Sequence, residues 1–460
     1  VHGRRGSRRR VKMGNTDGWA RRRLFATALM LGCSAKSTPL AVQSTGTGII
    51  RIDTNGVVVD DQDDERPWVD VTVEMVEGTP ESPASEDDPP TWRGFGAIHI
   101  RGNSTSDYEK KQYAFETRDA DGEDVDASFF GLPEEEDWVL AAPYSDKTLM
   151  RNHLMFGWSR AIGRYAPRTR FVELYMEDGG GSLGPEDYRG VYVLTEKVKR
   201  DVHRVNVEKL EPTDFGPSVV TGGYLLRRDW VEVEPIETAL YGDMLMLESP
   251  KADEVTAPQF DYIEGYLNDF ESALSRADGS YEAYIDVDSF VDFMLMMELS
   301  RNVDAYVLST YMHKPRDGRL TMGPIWDFNG SLGNADYFDA WQTEGWHYEN
   351  PEFPADNPNG FHWYRLLLED GAFRERLAAR WAEHRSGPWS DSALMKSIGD
   401  TEERLQAMQQ RNFERWPVLG EQIWPNDEGA TQRTTHQDEV DYLRRWVLRR
   451  TAWLDAQFGR

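Results

Sequence analysis

Arg301-Asn302-Val303-Asp304-Ala305-Tyr306 stands just past an apolar helical run, and Pro324-Ile325-Trp326-Asp327-Phe328-Asn329 follows a short way on. Between the two aspartates, Val307 to His313 reads as one strand, Pro315-Arg316-Asp317-Gly318 as a turn, and Leu320 to Ile325 as a second strand. A hairpin returns its ends to one place, so Asp304 and Asp327 are predicted to meet although 23 residues separate them. Two carboxylates at one mouth suit a divalent metal site, or a base beside a metal.

Around this hairpin the chain is large and acidic. Its 460 residues suffice for two or three packed units, and 16 Trp, 19 Tyr and 19 Phe within a 39% hydrophobic composition mark a folded protein. The net charge is −28, from 52 basic and 80 acidic residues. A surface of that sign repels nucleic acid and anionic membranes. ATP would be repelled too, unless cations reverse the field locally.

Cys33 is the one cysteine, which excludes an internal disulfide and a cysteine-based metal centre. It follows Arg21-Arg22-Arg23, the apolar run Leu24 to Leu31, and Gly32. That pattern has the form of a bacterial lipoprotein signal, in which the cysteine carries the lipid and becomes the mature N-terminus. Arg22-Arg23-Leu24-Phe25 also fits twin-arginine export, and either Val1 or Met13 stands as the start. Residues 1–32 hold nine basic and one acidic residue, so cleavage after Gly32 leaves 43 basic against 79 acidic side chains. The expectation is an exported, membrane-anchored lipoprotein that meets the membrane only through Cys33. The Ser/Thr/Gly-rich stretch 34–48 reads as its tether.

Further along, strands are predicted at Ile49–Ile52, Val69–Val73, Ala97–Arg101, Lys111–Thr117, Arg170–Met176 and Gly190–Thr195. Helices are predicted over 147–162, 257–275 and 288–300, and the chain from about Gly360 is mostly helical. Asp119 to Glu123 reads as an acidic turn rather than a calcium loop, because its glycine falls in the wrong place.

Several clusters recur in order: Ile100-Arg101-Gly102-Asn103-Ser104-Thr105, Lys110-Lys111-Gln112-Tyr113, Asp146 to Asn152, Gly190 to Lys197, Gly222-Gly223-Tyr224-Leu225, Asn302-Val303-Asp304, and Pro324 to Phe328. Together they resemble the CotH family of atypical protein kinases, over roughly residues 95–335 and into the helical tail. The resemblance implies an α+β, two-lobed, reduced protein-kinase-like fold with a mostly helical C-terminal part. It implies Mg-ATP or Mn-ATP as cofactor and a protein substrate offering Ser or Thr hydroxyls, or the chain itself. On that frame residues 1–33 are signal and lipidation site, 34–48 tether, 49–200 a β-rich N-terminal lobe, 201–345 a C-lobe with the aspartate hairpin, and 346–460 a helical extension.

The same frame distributes roles. Protein kinases place a catalytic-loop Asp, a hairpin, and then the metal-binding Asp of Asp-Phe-Gly. Asp304 takes the first place and Asp327 the second, with Asn329 for the glycine and in reach of the metal shell. Ser309 stands where kinases carry a metal-binding Asn, leaving that task to Asn302, Asn329 or water. Lys111 is placed to grip phosphate, with Lys110 on the opposite, solvated face of the strand. Arg151 is placed to pair with phosphate or with Asp327, and Asp146 to cap the helix. Glu196 and Lys197 end a strand where the frame puts the hinge that meets adenine. Two other functions use the same residues: a non-catalytic surface or assembly scaffold, and a phosphoesterase with water as nucleophile.

Overall fold

The computed structural model describes residues 48–60, 66–79, 82–350 and 362–459. The predicted signal with Cys33, and the tether as far as residue 47, lie outside the described residues.

Period-two hydrophobicity builds the first half. In β2 (Val69–Glu77), Val69, Val71, Val73 and Met75 are buried while Asp70 and Thr72 are exposed. The same alternation runs through β4 (Gln112–Arg118), while β1 (Gly48–Asp53), β3 (Trp92–Arg101) and β5 (Asp137–Ala141) each bury three consecutive residues. With β6 (Thr169–Glu177) and β7 (Tyr188–Glu196) these strands close into a barrel of order β1-β2-β3-β4-β5-β7-β6. A parallel pairing of β1 on β6, from Gly48↔Val172 to Asp53↔Glu177, makes the closure and leaves no open sheet edge. Inside lie Ile50, Val73, Ile98, Phe115, Trp138, Leu140, Leu174 and Leu194.

The barrel's outer face supplies the join to the rest. Phe171, Val191 and Val193 point outward into the core that contains Leu154, Met155, Phe156 and Trp158 of α1 (Arg151–Ala161). That core also takes in α3 (Val287–Ser300), buried nearly all round as a central helix must be. A second, five-stranded sheet of order β12-β11-β8-β10-β9 covers it, from β8 (Tyr224–Arg228), β9 (Ile236–Glu237), β10 (Met244–Ser249), β11 (Thr310–Lys314) and β12 (Thr321–Met322). Helices α2 (Ala257–Ser275), α4 (His362–Glu369), α5 (Gly371–Arg385), α6 (Asp391–Arg415) and α7 (His436–Gln457) complete the body.

The predicted elements are present with shifted ends, and the fold is mixed α+β. The sequence order predicts a kinase-like pair of lobes; the chain instead closes its first sheet into a seven-stranded barrel. The predicted hairpin between the aspartates is β11–β12, shorter than expected and paired at Met312↔Met322 and His313↔Thr321. Strand β5, which no motif marked, is the piece that joins β4 to β7.

Candidate active site

Helix α3 ends at Ser300, and Arg301 turns the chain out of it with φ 47°. Tyr306 (φ 69°), Ser309 (φ 49°) and Asp327 (φ 56°) are also left-handed without being glycine. Such strain persists only where surrounding bonds hold it, and it gathers at functional sites. The bonds are present. Arg301 Nη1 donates to the carbonyls of Glu344 (2.7 Å) and Gly345 (2.6 Å). Buried Arg228 donates to Tyr306 O at 2.9 Å and pairs with buried Asp243 at 2.9 Å. Buried Asn302 ties the two aspartate segments together: its Nδ2 donates to Asp327 O (2.8 Å) and its Oδ1 accepts from Asp304 N (3.3 Å).

Asp304 and Asp327, both half-buried, are thus held near one another, and with Asp229, which follows β8, they act on each other electrostatically; this group of residues is the cleft of the candidate site. Burial pushes Asp304 up to about 7, and the like charges of Asp327 and then Asp229 add to it. Asp327 is also raised by burial; hydrogen bonds from Asn329 and the charge of Arg101 offset part of that, and Asp229 opposes them. Burial raises Asp229 as well, against the backbone N–H of Trp230 and the charge of Arg227. Arg101, at the end of β3, lies with its guanidinium 5.5 Å from the Trp326 ring centroid. Tyr108 and Tyr337 close another side; burial raises both phenols and the nearby carboxylates add to it. Tyr337 stacks on Trp424 at 6.1 Å, and Tyr108 Oη donates to Trp424 O at 2.6 Å.

The other predicted site residues are engaged elsewhere. Lys111 Nζ donates to Ser106 O at 2.5 Å, and the cation that bears on Asp327 is Arg101. Lys110 is not solvated as expected but buried, donating to Val191 O (2.6 Å) and Asn412 Oδ1 (2.9 Å). The reason is that β4 begins at Gln112, so strand alternation does not reach the lysines, and α6 covers this surface. Arg151 is fully buried and pairs with Asp146 at 2.5 Å rather than with Asp327. Asp146 also accepts from the backbone of Thr148 (3.1 Å) and Arg151 (2.8 Å), serving the start of α1. Glu196, buried, holds the backbone N and Nε of Arg168, both at 2.8 Å. Lys197 pairs with Asp137 at 3.0 Å on the barrel. Asn329 does stand at the site, donating from Nδ2 to Asp327 Oδ1 at 3.2 Å.

Two charged residues of the cleft, besides Tyr108 and Tyr337, escaped sequence reasoning. Arg101 lay inside a quoted motif, and its place at the open end of a strand was the available signal. Asp229 had none, since only the pairing of β8 with β11, Arg228 opposite Thr310, carries it to the hairpin.

Three carboxylates that repel one another, with Arg101 bearing on Asp327 and Arg227 paired to Asp229 at 3.6 Å, form a donor set with one more negative charge than positive. That set fits a divalent cation, with Asp327 as the central oxygen ligand. A raised Asp304 is suited to take up a proton near neutral pH. No curated protein matches the chain in sequence. A family profile described as CotH kinase protein matches residues 98–454, which span most of the barrel, the aspartate hairpin and the helical tail. The chain belongs to the CotH kinase protein family.

Proposed function

We propose that the chain is a metal-dependent kinase that transfers the γ-phosphate of ATP to a protein hydroxyl, Ser or Thr of a substrate or of itself. The observation that carries the reading is Asp304, a carboxyl pushed to about 7 beside Asp327 at the mouth of one hairpin. A base titrating near neutrality is well matched to a hydroxyl nucleophile. In this reading the hydroxyl oxygen bonds to the γ-phosphorus while its proton passes to Asp304, and the bond to the ADP oxygen breaks. Asp327, aided by Asp229, would hold Mg2+ or Mn2+, which supplies neutralisation of the phosphate charge. Arg101 does the work assigned above to Lys111, with a planar fork suited to phosphate oxygens. The barrel then stands in the place of a kinase N-lobe, and the hairpin with its helices in that of the C-lobe.

Incubation of the purified chain with Mg2+ or Mn2+ and γ-labelled ATP tests the reading. Label on protein supports it, and free phosphate favours the phosphoesterase. Neither product favours the scaffold, which also draws support from Lys111, Arg151, Glu196 and Lys197 being bound away from the carboxylates.

Placement outside the cytoplasm, anchored through lipid on Cys33, belongs to the same proposal and rests on the sequence of residues 21–33. Cys33→Ser should shift the protein from membrane to soluble exported fractions. Persistence on the membrane would remove the anchor from the account.

A further inference from the structure

The first turn of α1 reaches across to the segment that carries Asp327. Asn152 Oδ1 accepts from Phe328 N at 2.6 Å, and Asn152 Nδ2 donates to Asn329 Oδ1 at 3.1 Å. Asn329 Nδ2 in turn donates to Asp327 Oδ1 at 3.2 Å. Beside it, Arg151 Nε donates to Ser331 O at 3.0 Å.

The direction of this chain is fixed at one end. A backbone N–H can only donate, so the Asn152 atom facing Phe328 must be oxygen. Its amide nitrogen is then left to face Asn329, whose facing atom must accept. That places the Asn329 amide nitrogen, and not its oxygen, against Asp327. Reversal of either side chain would set N–H against N–H or oxygen against carboxylate. The arrangement also changes the part given to Asn329. Its oxygen is already used by Asn152, so it serves Asp327 as a donor rather than a metal as a ligand. A donor on one carboxylate oxygen fixes the carboxylate's orientation and leaves the other oxygen to a cation.

We propose that Asn152 is a positioning residue for the metal-binding carboxylate, acting through Asn329 to fix the orientation of Asp327. The inference rests on the reading of Asp327 as a metal ligand. Groups one bond removed from a ligand typically alter metal affinity about 10- to 100-fold when mutated. It also couples α1 to the metal segment without a lysine–glutamate pair.

Titration of Mn2+ followed by electron paramagnetic resonance, on the full chain without nucleotide, separates the possibilities. Asn152→Ala and Asn329→Ala should each weaken Mn2+ binding by about tenfold or more. The double variant should be no weaker than the poorer single one by more than about twofold, because both break one relay. Thermal unfolding of each variant reports whether the fold survives. Should Asn152→Ala fail to fold, Asn329→Ala breaks the same relay from its far end. Affinity within about twofold of wild type for either folded single variant, or a double variant that multiplies the two losses, would overturn the inference. Loss of Mn2+ binding in none of these variants but in Asp327→Ala leaves the ligand reading standing alone. Unaltered binding in Asp327→Ala removes both.

Discussion

Among the described residues, two clusters of acidic side chains differ in what faces them. On the barrel, Glu135, Glu136 and Asp137 bring carboxylate oxygens within 4.8 Å of one another. Lys199 Nζ already sits among them, at 2.6, 2.6 and 2.9 Å, and Arg204 reaches Glu135 at 3.1 Å. Burial pushes all three up; at Glu136 and Asp137 the lysines more than offset it and both titrate below the usual range, while Glu135 stays raised, at about 7, against the pull of Arg204 and Lys199. In the cleft, Asp304 has Asp327 and Asp229 as its strongest charged neighbours, and all three carboxylates are raised. Geometry alone would choose the barrel cluster for a metal. Charge chooses the cleft, because an ammonium sits among all three carboxylates of the barrel cluster, whereas in the cleft Arg227 pairs with Asp229 at 3.6 Å, Arg101 bears on Asp327, and Asp304 has only like charges beside it.

The largest expected effect breaks the cleft itself. Asp327→Ala should abolish Mg-ATP- or Mn-ATP-dependent thermal stabilisation, because the triphosphate would then meet an acidic protein without its cation. Asp304→Ala should keep much of that stabilisation and lower single-turnover phosphorylation by about two to four decades, the usual range for a general base. Equal loss of binding in both variants would end the division of labour.

Next in size is the choice between cations. Arg101→Ala should weaken nucleotide-dependent stabilisation by about tenfold in apparent affinity, with Arg101→Lys between it and wild type. Lys111→Ala should change it by less than about twofold, as a half-buried lysine already bonded to the Ser106 carbonyl is not free for phosphate. If the two variants exchange effects, the phosphate cation is the lysine of the sequence frame.

The hairpin was legible because its signals are local: a turn-forming Pro-Arg-Asp-Gly between two β-branched and aromatic runs. So were β2, with its hydrophobic alternation, and β1, β6 and β7, with their β-branched and aromatic residues. Closure of the barrel was not legible, because the parallel pairing of β1 with β6 joins residues about 120 positions apart and leaves no local mark. The site divides in the same way. Asp304 and Asp327 follow from the hairpin, and Asn329 from its neighbour. Lys111, Arg151, Glu196 and Lys197 were carried over from the family frame, and their engagements lie with Ser106, Asp146, Arg168 and Asp137. Arg101 and Asp229 come into the cleft only through the tertiary arrangement of β3 and β8.

A smaller effect concerns pH. With Asp304 near 7, the transfer rate should rise with pH through about 7 as the base loses its proton, then level off. The stability consequence runs oppositely. A carboxyl raised in the folded state binds a proton that the unfolded chain has released, so its burden on stability is absent below the unfolded value of 3.8, grows as pH rises, and is complete above about 7. Asp304→Asn should therefore raise the melting temperature at pH 8 by on the order of 2 °C, and by less at pH 5.

The smallest effect belongs to the barrel. Glu136→Gln removes one carboxylate from a cluster already served by Lys199, and should leave Mn2+ affinity unchanged within about twofold. A loss as large as that of Asp327→Ala would reverse the comparison.

The central claim, that unmet charge marks the cation site, is tested most directly by diffraction from crystals grown with Mn2+ and a non-hydrolysable ATP analogue. An anomalous difference map should place manganese against the Asp327 carboxylate, with the triphosphate between it and Arg101. A manganese peak at Glu135, Glu136 and Asp137, with none beside Asp327, would contradict the account.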